Sequence, residues 1–420
     1  MSLEFNKLHD QLMRMGAMIE KLDFDLTDRL RVAIERFEAA SDVEAIQERI
    51  DLVRQSDISG YRGAAPLGAD YAQPINLIYP PPPMPEYATI IAADGSQIYA
   101  NEQSPVHYYL INVGMYIYHH GIDHLPEPIT MPTLAFHKDH VHDHTKRVVS
   151  NRTVDARRTV AEMQALAEKA WEMKDRVPSS IIALYDNHLL FWVNSDVTGS
   201  EQVTKDYHAA LVQLHDVHAN GTPTILAGYV DNPHRSRVVL RLLFLMSLQD
   251  EREVKMREKE LAYGGDLEGL RDRHLFNAVL RPGERSAVMV QNSPKNLAYK
   301  QRGVSYEIAF FYIKVGDHYR SNIARVDVPM WVARDERALN DLHAVLLAQC
   351  QMQGRNPYPY ALTRADELAY VSAKDKNKLE EVINLELRRN GVNPFLYNAK
   401  TRGKELARSD RRPYELRTDL

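Results

Sequence analysis

The sequence predicts an α/β protein built on a mixed sheet, and three observations predict it. Apolar runs rich in Ile, Val, Ala and Tyr, at about 88–93, 106–118, 181–185 and 224–229, read as strands. Between and after them, apolar residues recur at three- and four-residue steps, which reads as helix. Two further runs, about 304–315 and 318–328, flank Gly316-Asp317, a hairpin signal, so part of the sheet is antiparallel. Strands that alternate with helices and also close a hairpin give a mixed sheet.

The elements follow in order. Residues 1–55 read as helix: Leu8, Leu12, Met15, Ile19 and Leu22 form a stripe that Val32, Ile34 and Phe37 extend. Such a segment must bury its stripe on the main body or on a partner. Residues 56–85 read as a loop that ends in the run Pro80 to Pro83, a stiff linker. The main domain spans 86–375, with helices expected near 153–174, 201–219, 236–248, 336–352 and 361–373, and a charged helical insertion at 250–275. A last helix near 376–391 and a tail rich in Arg and Lys complete the region 376–420. Deleting 1–55 is expected to leave a soluble protein that has lost its dimer or partner contacts.

The chain of 420 residues is 44% hydrophobic and 26% charged, an ordinary globular balance, with net charge −5. No apolar run approaches the roughly 20 residues of a membrane helix, and the N-terminus lacks a signal-peptide h-region. With Cys350 alone, a disulfide framework and a cysteine zinc site are excluded, and a cytoplasmic location is expected. There is no GxxxxGK[ST] phosphate loop and no GxSxG elbow. The net charge neither supports nor excludes DNA, because an enzyme that grips DNA in one groove need not be basic overall.

Several side chains could carry chemistry. Asp94 ends an apolar strand, and Gly95 lets the backbone turn there. Asp186 ends a second such strand. If the strands are neighbours, two carboxylates lie side by side and a divalent cation would relieve their repulsion. Oxygen ligands select magnesium or manganese. The competing reading for each aspartate is a strand that simply ends in a turn. Asp366 shares a helix face with Leu362, Ala369 and Tyr370, which leaves open a paired carboxylate or a place at the edge of the stripe. Glu162 lies off the stripe of Val160, Met163, Ala167, Ala170 and Trp171, and spacing alone makes it a solvated glutamate. His137, His140, His142 and His144 read as a surface loop. Arg235, Arg237 and Arg241 surround the start of an apolar helix, where backbone donors and guanidinium groups could hold DNA phosphates.

The order of segments resembles the NurA family. The resemblance rests on Ala92-Ala93-Asp94-Gly95-Ser96, Arg158-x-x-x-Glu162, Leu184-Tyr185-Asp186, Gly228-Tyr229-Val230, Arg325-Val326-Asp327-Val328-Pro329, and Tyr358-Pro359-x-x-Leu362-x-x-Ala365-Asp366. It implies an RNase H-like core with a mixed sheet, helical insertions and an N-terminal helical segment. It further implies a manganese-dependent DNA nuclease, with magnesium as the alternative ion, acting as single-strand endonuclease and 5′-to-3′ exonuclease. Such a protein is a homodimer that works in end resection and break repair beside a HerA-like hexameric ATPase. By the same resemblance Asp94, Glu162 and Asp186 are metal ligands, and Tyr358 and Asp366 close the site. Asp366 departs from the histidine expected there, and Asn187 from a glycine. The alternative is an inactive adaptor that docks on a HerA-like translocase with its own site eroded.

Overall fold

The computed structural model describes residues 5–55, 61–68, 71, 73–102, 104, 106–177, 180–316, 322–354 and 356–392. The basic tail and the tip of the expected hairpin lie outside the described residues.

Among these residues one sheet contains eleven strands. They are β1 Ala64–Ala65, β2 Ile78–Tyr79, β3 Ala88–Ile98, β4 Tyr109–His120, β5 Glu127–Ala135, β6 Ser180–Tyr185, β7 Thr224–Asp231, β8 Arg285–Ser286, β9 Met289–Gln291, β10 Ile308–Lys314 and β11 Ile323–Pro329. The order is β1-β9-β10-β11-β7-β6-β3-β4-β5, with β8 pairing β10 and β2 pairing β8. β3, β4 and β5 form an antiparallel meander. β6 lies parallel to β3, and β7 parallel to β6. This five-strand unit has the arrangement expected of an RNase H-like core, and β11, β10 and β9 extend it antiparallel beyond β7.

Two apolar cores form on this frame. The larger joins β3, β4, β6 and β7 to the helices Asn151–Met173, Ser200–Ala219, Glu336–Met352 and Tyr360–Ala369. In β10 the side chains alternate: Phe311 and Ile313 enter this core, and Phe310 and Tyr312 enter the second one on the opposite face. The second core holds the helix Val238–Ser247 together with Phe37, Ile46, Ile50 and Val53.

The N-terminal helices are therefore built into the body from about residue 33 onward, and 1–55 is not a detachable unit. Leu12, Met13, Met15, Met18 and Ile19 remain exposed on the long helix His9–Ala39. The expected linker is also corrected: Ala64, Ala65 and Ile75 are buried, and β1 and β2 join the sheet on either side of Ile75. The histidine-rich segment is a surface turn with one short helix, Lys138–Val141, and His142 Nε2 lies 2.9 Å from His107 Nδ1.

Candidate active site

The parallel register of β3 and β6 settles whether Asp94 and Asp186 are neighbours. Its last pair is Ala93 with Tyr185, so the next residue on each chain is an aspartate. Neighbouring strands run about 4.8 Å apart, which puts the two carboxylates side by side. Asp186 directly follows β6, but Asp94 lies inside β3, which runs on to Ile98, and Gly95 continues the strand opposite Val113 instead of turning, which corrects the expected strand end. The Gly95 amide donates to Asp94 Oδ1 at 2.7 Å and fixes that side chain.

Gly95 also admits the third carboxylate. A Cβ on Gly95 would lie 2.4 Å from Glu162 Oε1 and 2.9 Å from Arg158 Cγ, so the glycine leaves room for these two side chains of the helix Asn151–Met173. Glu162 is 2% exposed, which overturns the solvated reading drawn from its spacing. Arg158, one turn earlier, places Nε 3.1 Å from Glu162 Oε1, but neither atom has a hydrogen bond of good geometry. Arg158 also donates to Gln97 Oε1 at 2.9 Å.

A second glycine positions Asp366. A Cβ on Gly114 would lie 2.3 Å from Ala365 O and from Ala369 N, so the helix Tyr360–Ala369 rests directly on β4. Asn112 Nδ2 donates to Ala369 O at 2.8 Å, and the Ser96 hydroxyl donates to the same carbonyl. Asp366 is exposed at the edge of this helix and contributes its charge to Asp94 and Asp186. The Tyr358 hydroxyl, just before the helix, donates to the Asp186 carboxylate. The Tyr358 ring stands edge-on to Tyr229 at 5.3 Å.

Electrostatics follow from this crowding. Burial, then the charges of Asp186 and Asp366, push Asp94 up to about 6 against the pull of the Gly95 amide. Burial and Asp94 push Glu162 up to about 8, with Arg158 opposing. Water reaches Asp186, yet dense protein on its other sides and the charge of Asp366 still raise it, against the Tyr358 hydrogen bond. Asp231 at the end of β7 is raised as well, by burial and then by Asp186.

The residues fit a hard divalent cation. All the donors are oxygen, each ionised form is disfavoured as it stands, and Glu162 Oε1 is a buried acceptor without a hydrogen bond. Among the described residues no three acidic or imidazole side chains stand at ligand distance from one point, so the carboxylates share a field without closing a cage.

Beyond Asp186 the chain turns over β7. A Cβ on Gly228 would lie 2.3 Å from Asn187 O, so this glycine makes room for the crossing. His188 Nδ1 is 2.9 Å from Asp327 Oδ2, and Arg325 Nε donates to Asp327 Oδ1 at 2.7 Å. Burial opposes ionisation of Asp327, but Arg325 and His188 hold it at about 2. Sequence reasoning quoted Arg325 and Asp327 without giving them a role. Their two-residue spacing on a strand, which puts both on one face, was the available signal.

The three arginines line a groove of about 650 Å³ together with His188, Asp231, Arg62, Trp192 and Lys295. Their expected mode of action changes in two ways. Buried Asp272 accepts from the amides of Val238 (2.7 Å) and Leu240 (3.1 Å), so it is the cap of this helix and takes donors that a phosphate would have used. Arg241 donates to Ala262 O at 2.9 and 2.6 Å and to Arg62 O at 3.3 Å, which makes it a brace for the groove wall. Arg235 is exposed and Arg237 half-buried on the groove itself.

The sequence profile of the NurA domain matches residues 88–371. Among solved structures, a crystal structure of NurA bound to dAMP and manganese shares 12% identity, covering 73% of this chain and 90% of that chain, with a TM-score of 0.35. A crystal structure of NurA with manganese shares 12% identity over 73% of this chain and 91% of that chain, with a TM-score of 0.36. No curated protein matches. The matched profile spans well over half of the chain and includes Asp94, Glu162, Asp186, Tyr358 and Asp366, and the chain belongs to the NurA family.

Proposed function

We propose that this chain is a metal-dependent DNA nuclease, with manganese as its ion and magnesium as the alternative. One observation carries the reading: three carboxylates, from β3, from the end of β6 and from the helix Asn151–Met173, meet in one field that disfavours their charge. Asp94, Glu162 and Asp186 would hold the ion, with Asp366 at the open side. When bound, the ion would supply Lewis acidity, making water a nucleophile near neutral pH and neutralising charge on the leaving oxygen. The chain's own residues set the stage. Gly95 fixes Asp94, Tyr358 orients Asp186, and Arg158 restrains Glu162. Arg235 and Arg237 would meet the phosphates, with Arg241 supporting them.

The test is degradation of labelled single- and double-stranded DNA with manganese, magnesium or chelator. Wild type should cut only with metal, as endonuclease and as 5′-to-3′ exonuclease, and Asp94→Ala should lose the activity by at least about a hundredfold.

The open arrangement of the carboxylates supports a second reading, an adaptor without activity. A thermal melt that manganese leaves unchanged would favour the adaptor. For partners we propose a homodimer and a HerA-like hexameric ATPase in end resection. The chain has no phosphate loop of its own, and the exposed stripe Leu12 to Ile19 offers a docking face. Among the described residues no helix is long and apolar enough to cross a membrane.

A further inference from the structure

The loop that follows Asp186 presents a large aromatic side chain to solvent and holds it rigidly. Trp192 is 56% exposed. The backbone around it is pinned from three sides. Asp327 accepts from the Leu189 amide at 3.3 Å, Tyr207 donates to Leu189 O at 3.0 Å, and Tyr299 accepts from the Phe191 amide at 2.9 Å. Phe191 stacks on Tyr207 with centroids 4.6 Å apart. These bonds fix the backbone that leads into Trp192, and the indole itself donates to Asn194 Oδ1 at 2.8 Å, so an exposed ring is held in place and asks for an explanation.

Trp192 also stands where two cavities meet. On one side is the cationic groove of about 650 Å³. On the other is a cavity of about 510 Å³, lined by Gln97, Arg158, Asn187 and Asn194, which reaches the Arg158 that pairs with Glu162. Trp192 lines both. Lys295 Nζ lies 4.5 Å from the centroid of its ring. The cations of the groove crowd one another: burial and then Arg62 lower Lys295, and Arg62 and Arg237 both weigh on Arg241. Such crowding is relieved by a polyanion, as the neighbouring carboxylates are relieved by a cation.

We propose that Trp192 is a stacking post for an unpaired base of the substrate strand, the base taking the ring face opposite Lys295 and Lys295 meeting the adjoining phosphate. The strand's phosphates run along Arg62, Arg235 and Arg237, a base stacks on the indole, and the next phosphodiester is set before Asp94 and Asp186. Trp192 is thus a positioning residue. A paired base cannot offer its face to the ring, so the post selects unpaired nucleotides at the cut. This inference rests on the nuclease reading and adds the residue through which the strand is registered.

The full chain is tested in chelator, where nothing is cut, using the Trp171→Phe variant. Its remaining indoles are Trp192 and the buried Trp331. A short oligothymidylate should quench the fluorescence saturably, and a blunt duplex should not. Trp192→Ala should bind the single strand roughly tenfold more weakly, the usual loss for one stacked base, and Trp192→Phe should retain most of the affinity. With manganese, Trp192→Ala should raise KM more than it lowers kcat. The quench is read on native Trp192, so it does not depend on how the alanine variant folds. If the single strand binds by anisotropy without quenching, and Trp192→Ala binds like wild type, the stacking post is overturned and the nuclease stands. If wild type neither binds nor cuts DNA with any metal, the nuclease reading falls and takes the post with it.

Discussion

A glutamate at 2% exposure beside an ionisable aspartate has its charge supported by Arg158 and the Tyr185 hydroxyl, which burial outweighs. Folding therefore favours the protonated form of Glu162, whose pKa of about 8 lies above its ordinary value of 4.5. The sign of the linkage follows. Without a cation, the stability tied to this proton is fully present below about 4.5 and is lost as pH rises through about 8, by a few kcal/mol at most. A bound divalent ion favours the ionised form, so the rise in Tm on adding manganese should grow over that same window. Glu162→Gln should flatten the chelator profile and shrink the manganese shift, read by thermal melts across pH; an unchanged slope would assign the linkage to other groups. Asp94 and Asp186 were legible in the sequence because each directly follows an apolar run, 88–93 and 181–185. Glu162 was not, because helical spacing places a residue relative to its own helix and cannot show that Gly95 opens the facing strand.

Gly114 decides how one whole element docks. Its missing side chain lets the helix Tyr360–Ala369 contact β4 through backbone, which sets the distance of both Tyr358 and Asp366 from Asp186. Gly114→Ala puts a methyl group within 2.3 Å of two helix backbone atoms, so the helix must move. It should cost about 1–3 kcal/mol in denaturant melts and reduce nuclease activity well beyond that loss of folded protein. At this scale the long helices were legible because each repeats its period several times, and the strands β3, β4, β6, β7, β10 and β11 because each carries a near-continuous apolar run. The two-residue strands β1, β2 and β8 are too short to show any period. The helix Pro294–Arg302 is largely polar and carries too short an apolar stripe to stand out. β5 does not stand out in the sequence, because Pro128 and Pro132 interrupt it and it lacks an apolar run; in the structure only Ala135 of it is buried.

At the scale of the molecule, charges of both signs are segregated next to one another in a chain of net charge −5. Binding of single-stranded DNA should therefore weaken steeply with salt, and Arg235→Ala with Arg237→Ala should reduce that salt slope by about 1–2, measured by anisotropy in chelator. The N-terminal region divides the same way. Trimming residues 1–25 removes the exposed stripe Leu12 to Ile19 and should abolish docking while each chain stays folded, whereas trimming 1–55 removes Phe37, Ile46 and Ile50 from a core and should cost more than about 5 kcal/mol. The prolines of β5 have one more effect. That strand closes one side of the eleven-stranded sheet, where an open row of amides would invite another chain to add itself. Neither Pro128 nor Pro132 has an amide hydrogen to offer, and an edge strand tolerates proline where that hydrogen would point outward. The two missing donors make this side a poor template for growth. Replacing both prolines with valine should leave the folded monomer intact but make concentrated solutions scatter light and precipitate on mild heating.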